Sequence, residues 1–106
     1  DQITVFVIDE RSIFIPNVFS PNGDNRNDFF AVYPDSKVAA IRKMQIFDRW
    51  GDMVFERNNL TIGREDEGWN GRINNEPAPS ATYVYRVEVE YLGGEVEVLV
   101  GTVSLL

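Results

Sequence analysis

The stretch Tyr83-Val84-Tyr85-Arg86-Val87-Glu88-Val89-Glu90-Tyr91 decides the fold. Successive side chains of a β-strand point to opposite faces, so positions 83, 85, 87, 89 and 91 share an apolar face. Arg86, Glu88 and Glu90 share the other, and only Val84 breaks the alternation; this is a strand with one buried and one wet face. Leu92-Gly93-Gly94-Glu95 follows, then Glu95–Val100 alternates again, with Val96, Val98 and Val100 expected inward. Gly93-Gly94 at the centre of a two-residue hairpin turn accepts positive φ without steric cost. That turn sets Tyr91 opposite Val96, Val89 opposite Val98, Val87 opposite Val100 and Glu90 opposite Glu97. Past Leu99 the apolar parity changes to Val103 and Leu105, and Gly101 is expected to mark a bulge.

Working outward, Met44–Glu56 reads as a second hairpin around Asp48-Arg49-Trp50-Gly51. Asp48 can accept hydrogen bonds from the turn backbone, and Gly51 supplies the left-handed residue of a type I turn with a bulge. Ile3–Ile8 and Ser12–Phe19 read as further strands, the second interrupted by Pro16, which pushes it toward an edge. Only Asp35–Met44 could hold a turn or two of helix, and its apolar residues fit no sustained helical face. Asn58–Asn75 lacks alternation; within it Trp69, flanked by Gly68 and Gly71, is expected to plug one end of the core. These signals predict an all-β fold, an Ig-like antiparallel β-sandwich of about seven strands.

The bulk properties bound the function. At 106 residues with 43% hydrophobic content the chain makes one domain, and no apolar run approaches a spanning helix. It begins at Asp1 and carries no signal peptide, so it is read as part of a longer polypeptide. The absence of cysteine and histidine excludes thiol and Ser–His–Asp nucleophiles, zinc–thiolate sites and imidazole ligands. Ten basic against seventeen acidic residues give −7, a surface that repels nucleic acid and suits a cation or a basic protein.

Four motifs in order resemble one family. Phe19-Ser20-Pro21-Asn22-Gly23-Asp24-Asn25-Arg26-Asn27-Asp28-Phe29-Phe30 is similar to the opening motif of the gliding-motility-associated C-terminal domain, the type B sorting domain of the bacterial type IX secretion system. Ile46–Phe55 resembles its central hairpin, Gly68-Trp69-Asn70-Gly71 its tryptophan–glycine loop, and Tyr83-Val84-Tyr85 with Gly101–Leu105 its closing strands. Asn25 stands where the family usually has glycine, and Ala81 where it has glycine before the Thr-Tyr pair. The resemblance implies that residues 11–106 form a C-terminal sorting domain, with 1–10 a linker or the last strand of a preceding Ig-like repeat. It further implies a monomeric domain, in a multidomain carrier, that is addressed by secretion-machinery and outer-membrane proteins. The carrier would be exported through the periplasm to the cell surface or medium.

Two loops stand out as candidate sites. Asn22, Asp24, Asn25, Asn27 and Asp28 concentrate side-chain oxygens in seven residues, and Asn22, Asp24, Asn27 and Asp28 are the candidate Ca²⁺ ligands. The spacing is not that of an EF-hand, and Asx-turns bonding their own backbone explain the same clustering on their own, which is the favoured reading. For partner binding the candidates are Asn22 and Asp24 with Arg49, Trp50 and Asp52, because an exposed aromatic beside arginine is the composition of a contact hot spot. Gly51, Trp69, Gly71, Gly93 and Gly94 are assigned structural roles. The carboxylates of Arg64-Glu65-Asp66-Glu67 lie on a solvated loop without the fixed separation acid–base catalysis needs, so no catalytic residue and no enzyme activity is expected. The alternative function is an adhesin-type module recognising an extracellular glycan or protein; Trp50, Trp69, Tyr33, Tyr83, Tyr85 and Tyr91 could form its aromatic platform, but core packing is the commoner fate of such rings in a small sandwich, with Trp50 the better exception.

Overall fold

The computed structural model describes residues 13–21 and 28–106. The expected strand Ile3–Ile8, the domain boundary at residue 10 and most of the Asn22–Asp28 loop lie outside the described residues. Nine strands are formed among those described: β1 (Ile13–Phe14), β2 (Val18–Phe19), β3 (Tyr33–Pro34), β4 (Val38–Phe47), β5 (Met53–Leu60), β6 (Arg72–Ile73), β7 (Glu76–Pro77), β8 (Ala81–Tyr91) and β9 (Val96–Leu105). Five make the main sheet, in the order β2-β9-β8-β4-β5, antiparallel except where β2 runs parallel to β9. Pairs β1–β3 and β6–β7, with a bridge between Phe30 and Trp69, supply the opposing material. No helix is long and apolar enough to cross a membrane among the described residues.

The core is one cluster. Met44, Ile46, Tyr83, Val87, Val89 and Val103 point inward from the main sheet and meet Ile13, Phe30, Val32 and Trp69 from the shorter segments. That is two layers sharing one apolar interior, an all-β sandwich. Pro16 divides the expected Ser12–Phe19 strand into β1 and β2, which pair with different partners, β3 and β9. Ala81, where the resembled family carries glycine, opens β8 opposite Leu105 in ordinary strand conformation.

The β8–β9 hairpin differs from the expected one by a single residue. Gly94 takes φ +96° and donates its N–H to Tyr91 O at 2.9 Å, while Tyr91 N–H reaches Glu95 O at 2.8 Å. The connection is therefore the three residues Leu92-Gly93-Gly94, a type I turn closed by a left-handed glycine, and Gly93 needs no positive φ. Val89 now faces Glu97, Val87 faces Leu99, and Glu90 faces Val96 instead of Glu97. A one-residue slip sends every side chain to the other face. Val96, Val98 and Val100, expected inward, are solvent-exposed, and Leu99, Val103 and Leu105 point in. Nor does Gly101 mark a bulge, since pairing runs unbroken from Ala81↔Leu105 to Glu90↔Val96. Gly101 sits opposite Tyr85, and a Cβ there would lie 2.6 Å from Tyr85 Cζ. It makes room for a tyrosine ring.

The segment Asp35–Met44 is strand, not helix, from Val38 onward. Against β8 its register shifts twice, once between Val38 and Ala40 and again between Ile41 and Lys43. The extra residues Ala39 and Arg42 bring Val38, Ile41 and Met44, three apart in sequence, to the same buried face. Bulges thus imitate the i, i+3 spacing of a helical face.

Candidate partner-recognition site

At one end of the sandwich the chain turns from β4 into β5. Asp48 N–H donates to Asp52 O at 2.9 Å and Gly51 N–H to Asp48 O at 3.0 Å, with Gly51 at φ +88°. The Asp48 carboxylate also accepts from Trp50 N–H and Asp52 N–H, each at 2.9 Å. This is the turn the sequence predicts, and it satisfies four backbone N–H groups within five residues. Its tip carries no core side chain. Trp50 is 74% exposed, and the Arg49 guanidinium lies 4.3 Å from the centroid of its ring. Asp52 and Met53 are exposed beside it. The tip is a rigid turn presenting an aromatic–cation pair to solvent.

The anchors of the Asn22–Asp28 loop sit at the same end. Pro21 Cγ lies 2.9 Å from where a Cβ on Gly71 would stand, with Leu105 and Phe19 next to it. Gly71 is therefore required twice, by its φ of +79° and by this close approach. Leu105 pairs with Ala81, Phe47 pairs with Val84, and the Asp48 charge raises the Tyr83 phenol, whose upward shift comes first from burial. At the loop's far side, half-buried Asp28 precedes Phe30, whose N–H donates to Trp69 O at 2.7 Å and whose O accepts from Trp69 N–H at 3.0 Å. Asn22 and Asp24, named both as partner residues and as Ca²⁺ ligands, and Asn27, named as a Ca²⁺ ligand, lie outside the described residues. Of the partner candidates Arg49, Trp50 and Asp52 are brought together on one tip.

The structural residues are placed as follows. Trp69 is wholly buried, edge-on to Tyr83 with ring centroids 5.0 Å apart and 5.5 Å from Phe19, and its Nε1–H donates to Arg72 O at 3.1 Å. Tyr83 is also buried, its hydroxyl donating to Pro79 O at 2.7 Å. Neither belongs to an aromatic platform. The glycan-type surface expected for an adhesin therefore loses two of its six rings.

The acidic run 65–67 forms one exposed 3-10 turn. Arg64 and Asp66 pair in bidentate fashion, at 3.0 and 2.9 Å, and that bond holds the Asp66 carboxyl below its ordinary value. Glu67 accepts from Thr61 N–H at 2.6 Å and is lowered for that reason first. Both carboxylates are held charged by loop-closing bonds, the opposite of a general acid's requirement. Two surface features escaped the sequence: the exposed valines of β9 and the pair Phe14–Tyr33, centroids 6.1 Å apart. Alternation in Ile13-Phe14-Ile15 could not say which face Phe14 would take.

Residues 13–103 match the family model described as the CHU_C type IX secretion signal domain. No curated protein matches the chain.

Proposed function

The chain belongs to the CHU_C type IX secretion signal domain family, and from that premise we propose that the Asp48–Asp52 tip is the surface by which the secretion machinery recognises it. The domain is a sorting signal: it directs the protein that carries it through the type IX system to the cell surface or medium. The family is one of secretion signals, not of catalysts, and the adhesin reading is not favoured. Recognition takes place by protein–protein contact, after the carrier has reached the periplasm, with the domain acting as a monomer.

One observation carries the assignment to the tip: Trp50 is 74% exposed on a turn held by four hydrogen bonds, with Arg49 stacked on its ring. Tryptophan and arginine dominate interface hot spots because a large rigid surface is desolvated with little loss of side-chain freedom. Among the described residues, the hydrophobic core does not include this side chain. Asn22 and Asp24 are proposed as further contacts, because Pro21, beside their loop, lies at the same end of the sandwich.

The test is export of a fluorescent reporter fused ahead of the domain, behind a cleavable signal peptide, in a bacterium with an intact type IX system. An isogenic strain lacking the outer-membrane pore reports whether export is pore-dependent. Trp50→Ala combined with Arg49→Ala is expected to leave the fusion folded and trapped inside. Export of that variant at the wild-type level refutes the tip as the recognition surface.

A further inference from the structure

Among the described residues, the exposed valines of β9 coincide with an open sheet edge. In an antiparallel ladder, alternate residue pairs exchange their backbone bonds and those between direct N–H and C=O away. Tyr91 N–H bonded to Glu95 O starts that series, so the even-numbered residues of β9 face outward. Further along this is seen directly: Ser104 N–H donates to Asn17 O at 2.9 Å and Leu106 N–H to Phe19 O at 3.1 Å. Among the described residues β2 covers only Ser104 and Leu105, leaving the edge from Val96 to Thr102 without a strand beside it. Val96, Val98 and Val100 place their side chains on the outer face, 46%, 42% and 66% exposed.

The charges on the edge strand itself are acidic: Glu95 and Glu97 alternate with the valines. Glu90 and Glu88 face Val96 and Val98 from β8, Glu88 being paired with Arg42 at 3.6 Å. Arg86, opposite Val100, is hydrogen-bonded to Gln45 at 3.3 Å. Glu97 accepts from the Tyr91 hydroxyl, which fixes its carboxylate at the edge. A long edge is a template for another strand, and natural proteins blunt such edges with charged side chains, above all lysine, or with proline. This one carries no lysine or proline, and its charges, Glu95 and Glu97, are acidic.

We infer that the Val96–Thr102 edge accepts an extended segment of a secretion-machinery protein as a sixth strand, one in which apolar and basic side chains alternate. Its apolar residues lie against Val96, Val98 and Val100 on the outer face, and its lysines or arginines meet Glu95 and Glu97 on the other. Main-chain bonds supply affinity and the alternating side chains supply selection, as in other β-strand additions. A second copy of the domain fits less well, because each carries −7 and its own β9 would bring glutamates and no base. The segment Asp1–Glu10 has no basic residue either. The inference rests on the sorting role, with a contact distinct from Trp50: the edge lies toward the β8–β9 turn, at the opposite end of the sheet.

The experiment uses the whole chain in two variants. Val98→Pro removes one outward N–H at an edge, where proline is tolerated, and Val98→Lys adds a gatekeeper charge to the outer face. Binding is read with a synthetic peptide of alternating lysine and valine, and export with the reporter fusion. The expected result is that both variants melt with the wild type, bind the peptide about tenfold or more weakly and lose export in the same proportion. Wild-type export by both folded variants overturns the edge proposal and leaves the sorting role standing. Failure of the wild-type fusion itself to be exported overturns both. A wild-type dimer that Val98→Pro dissociates assigns the edge to a second copy and likewise overturns the proposal.

Discussion

Replacing Gly68 by alanine probes the seam between the two layers. Gly68 is buried and its φ is −76°, so alanine meets no backbone strain there. The obstacle is space: a Cβ would stand 2.9 Å from the carbonyl carbon of Phe30, closer still to its oxygen, and 3.2 Å from Ala31 Cα. These are backbone atoms and cannot rotate away. Relief requires the Phe30 and Trp69 strands to part, and they are joined by the pair of hydrogen bonds at 2.7 and 3.0 Å. Overpacking costs about 1–3 kcal/mol and each weakened bond about 1 kcal/mol, together about 3–5 kcal/mol. Against a typical stability of about 5–15 kcal/mol that is a large fraction, a fall in melting temperature of about 12–20 °C. Urea unfolding in a Trp50→Phe background isolates the emission of the wholly buried Trp69. Gly63→Ala is the control: its φ is +93°, but nothing lies within 4 Å of a Cβ, so only a left-handed penalty of about 1–2 kcal/mol is expected. If Gly68→Ala costs less than about 1 kcal/mol, or no more than Gly63→Ala, the steric reasoning fails.

Trp50→Ala alone should change the unfolding free energy by less than about 0.5 kcal/mol in chemical denaturation, because its ring packs on no core residue; a larger loss would give it a structural role. Asp48→Ala removes the acceptor for two backbone amides and should destabilise by about 1 kcal/mol, with Asp48→Asn recovering part of the loss. Glu67 is held below its ordinary value of 4.5, chiefly by the Thr61 amide. A lowered carboxyl stabilises the fold fully above its unfolded value, and that contribution is lost as pH falls through the lower folded value. The difference in melting temperature between wild type and Glu67→Gln should therefore shrink from about pH 6 to about pH 3, and a pH-independent difference would contradict the assignment. Tyr91 is raised, first by burial and then by its bond to Glu97, so its contribution is present below pH 10 and lost above it; Tyr91→Phe should flatten the alkaline side of the stability curve.

The β-rich class, the two hairpins and the family were legible in the residues because each rests on local chemistry. Alternation over Tyr83–Tyr91 needs only the two-fold period of a strand. Asp48 and Gly51 define their turn within four residues, so the Arg49–Trp50 tip could be named as a site before its exposure was known. Asn74 and Asn75, at φ +54° and +68°, form a two-residue turn between β6 and β7, and the asparagine pair was the available signal for it.

Register and face, by contrast, were set by contacts between distant segments. Leu92-Gly93-Gly94-Glu95 is compatible with a two-residue or a three-residue turn, and local sequence scores both well. The choice is made by Gly101, which must lie opposite the Tyr85 ring, and by Val103 and Leu105, which must reach the core beside Trp69 and Phe19. These contacts are distant in sequence and appear only once the sheet is assembled. The same constraint turned three valines from presumed core into an exposed edge, and it put bulges at Ala39 and Arg42 where the spacing looked faintly helical. Which residues can be strands and turns follows from the residues alone, because propensity and period are local. Which side of a strand meets the core is a property of its partners, and a shift of one residue inverts it.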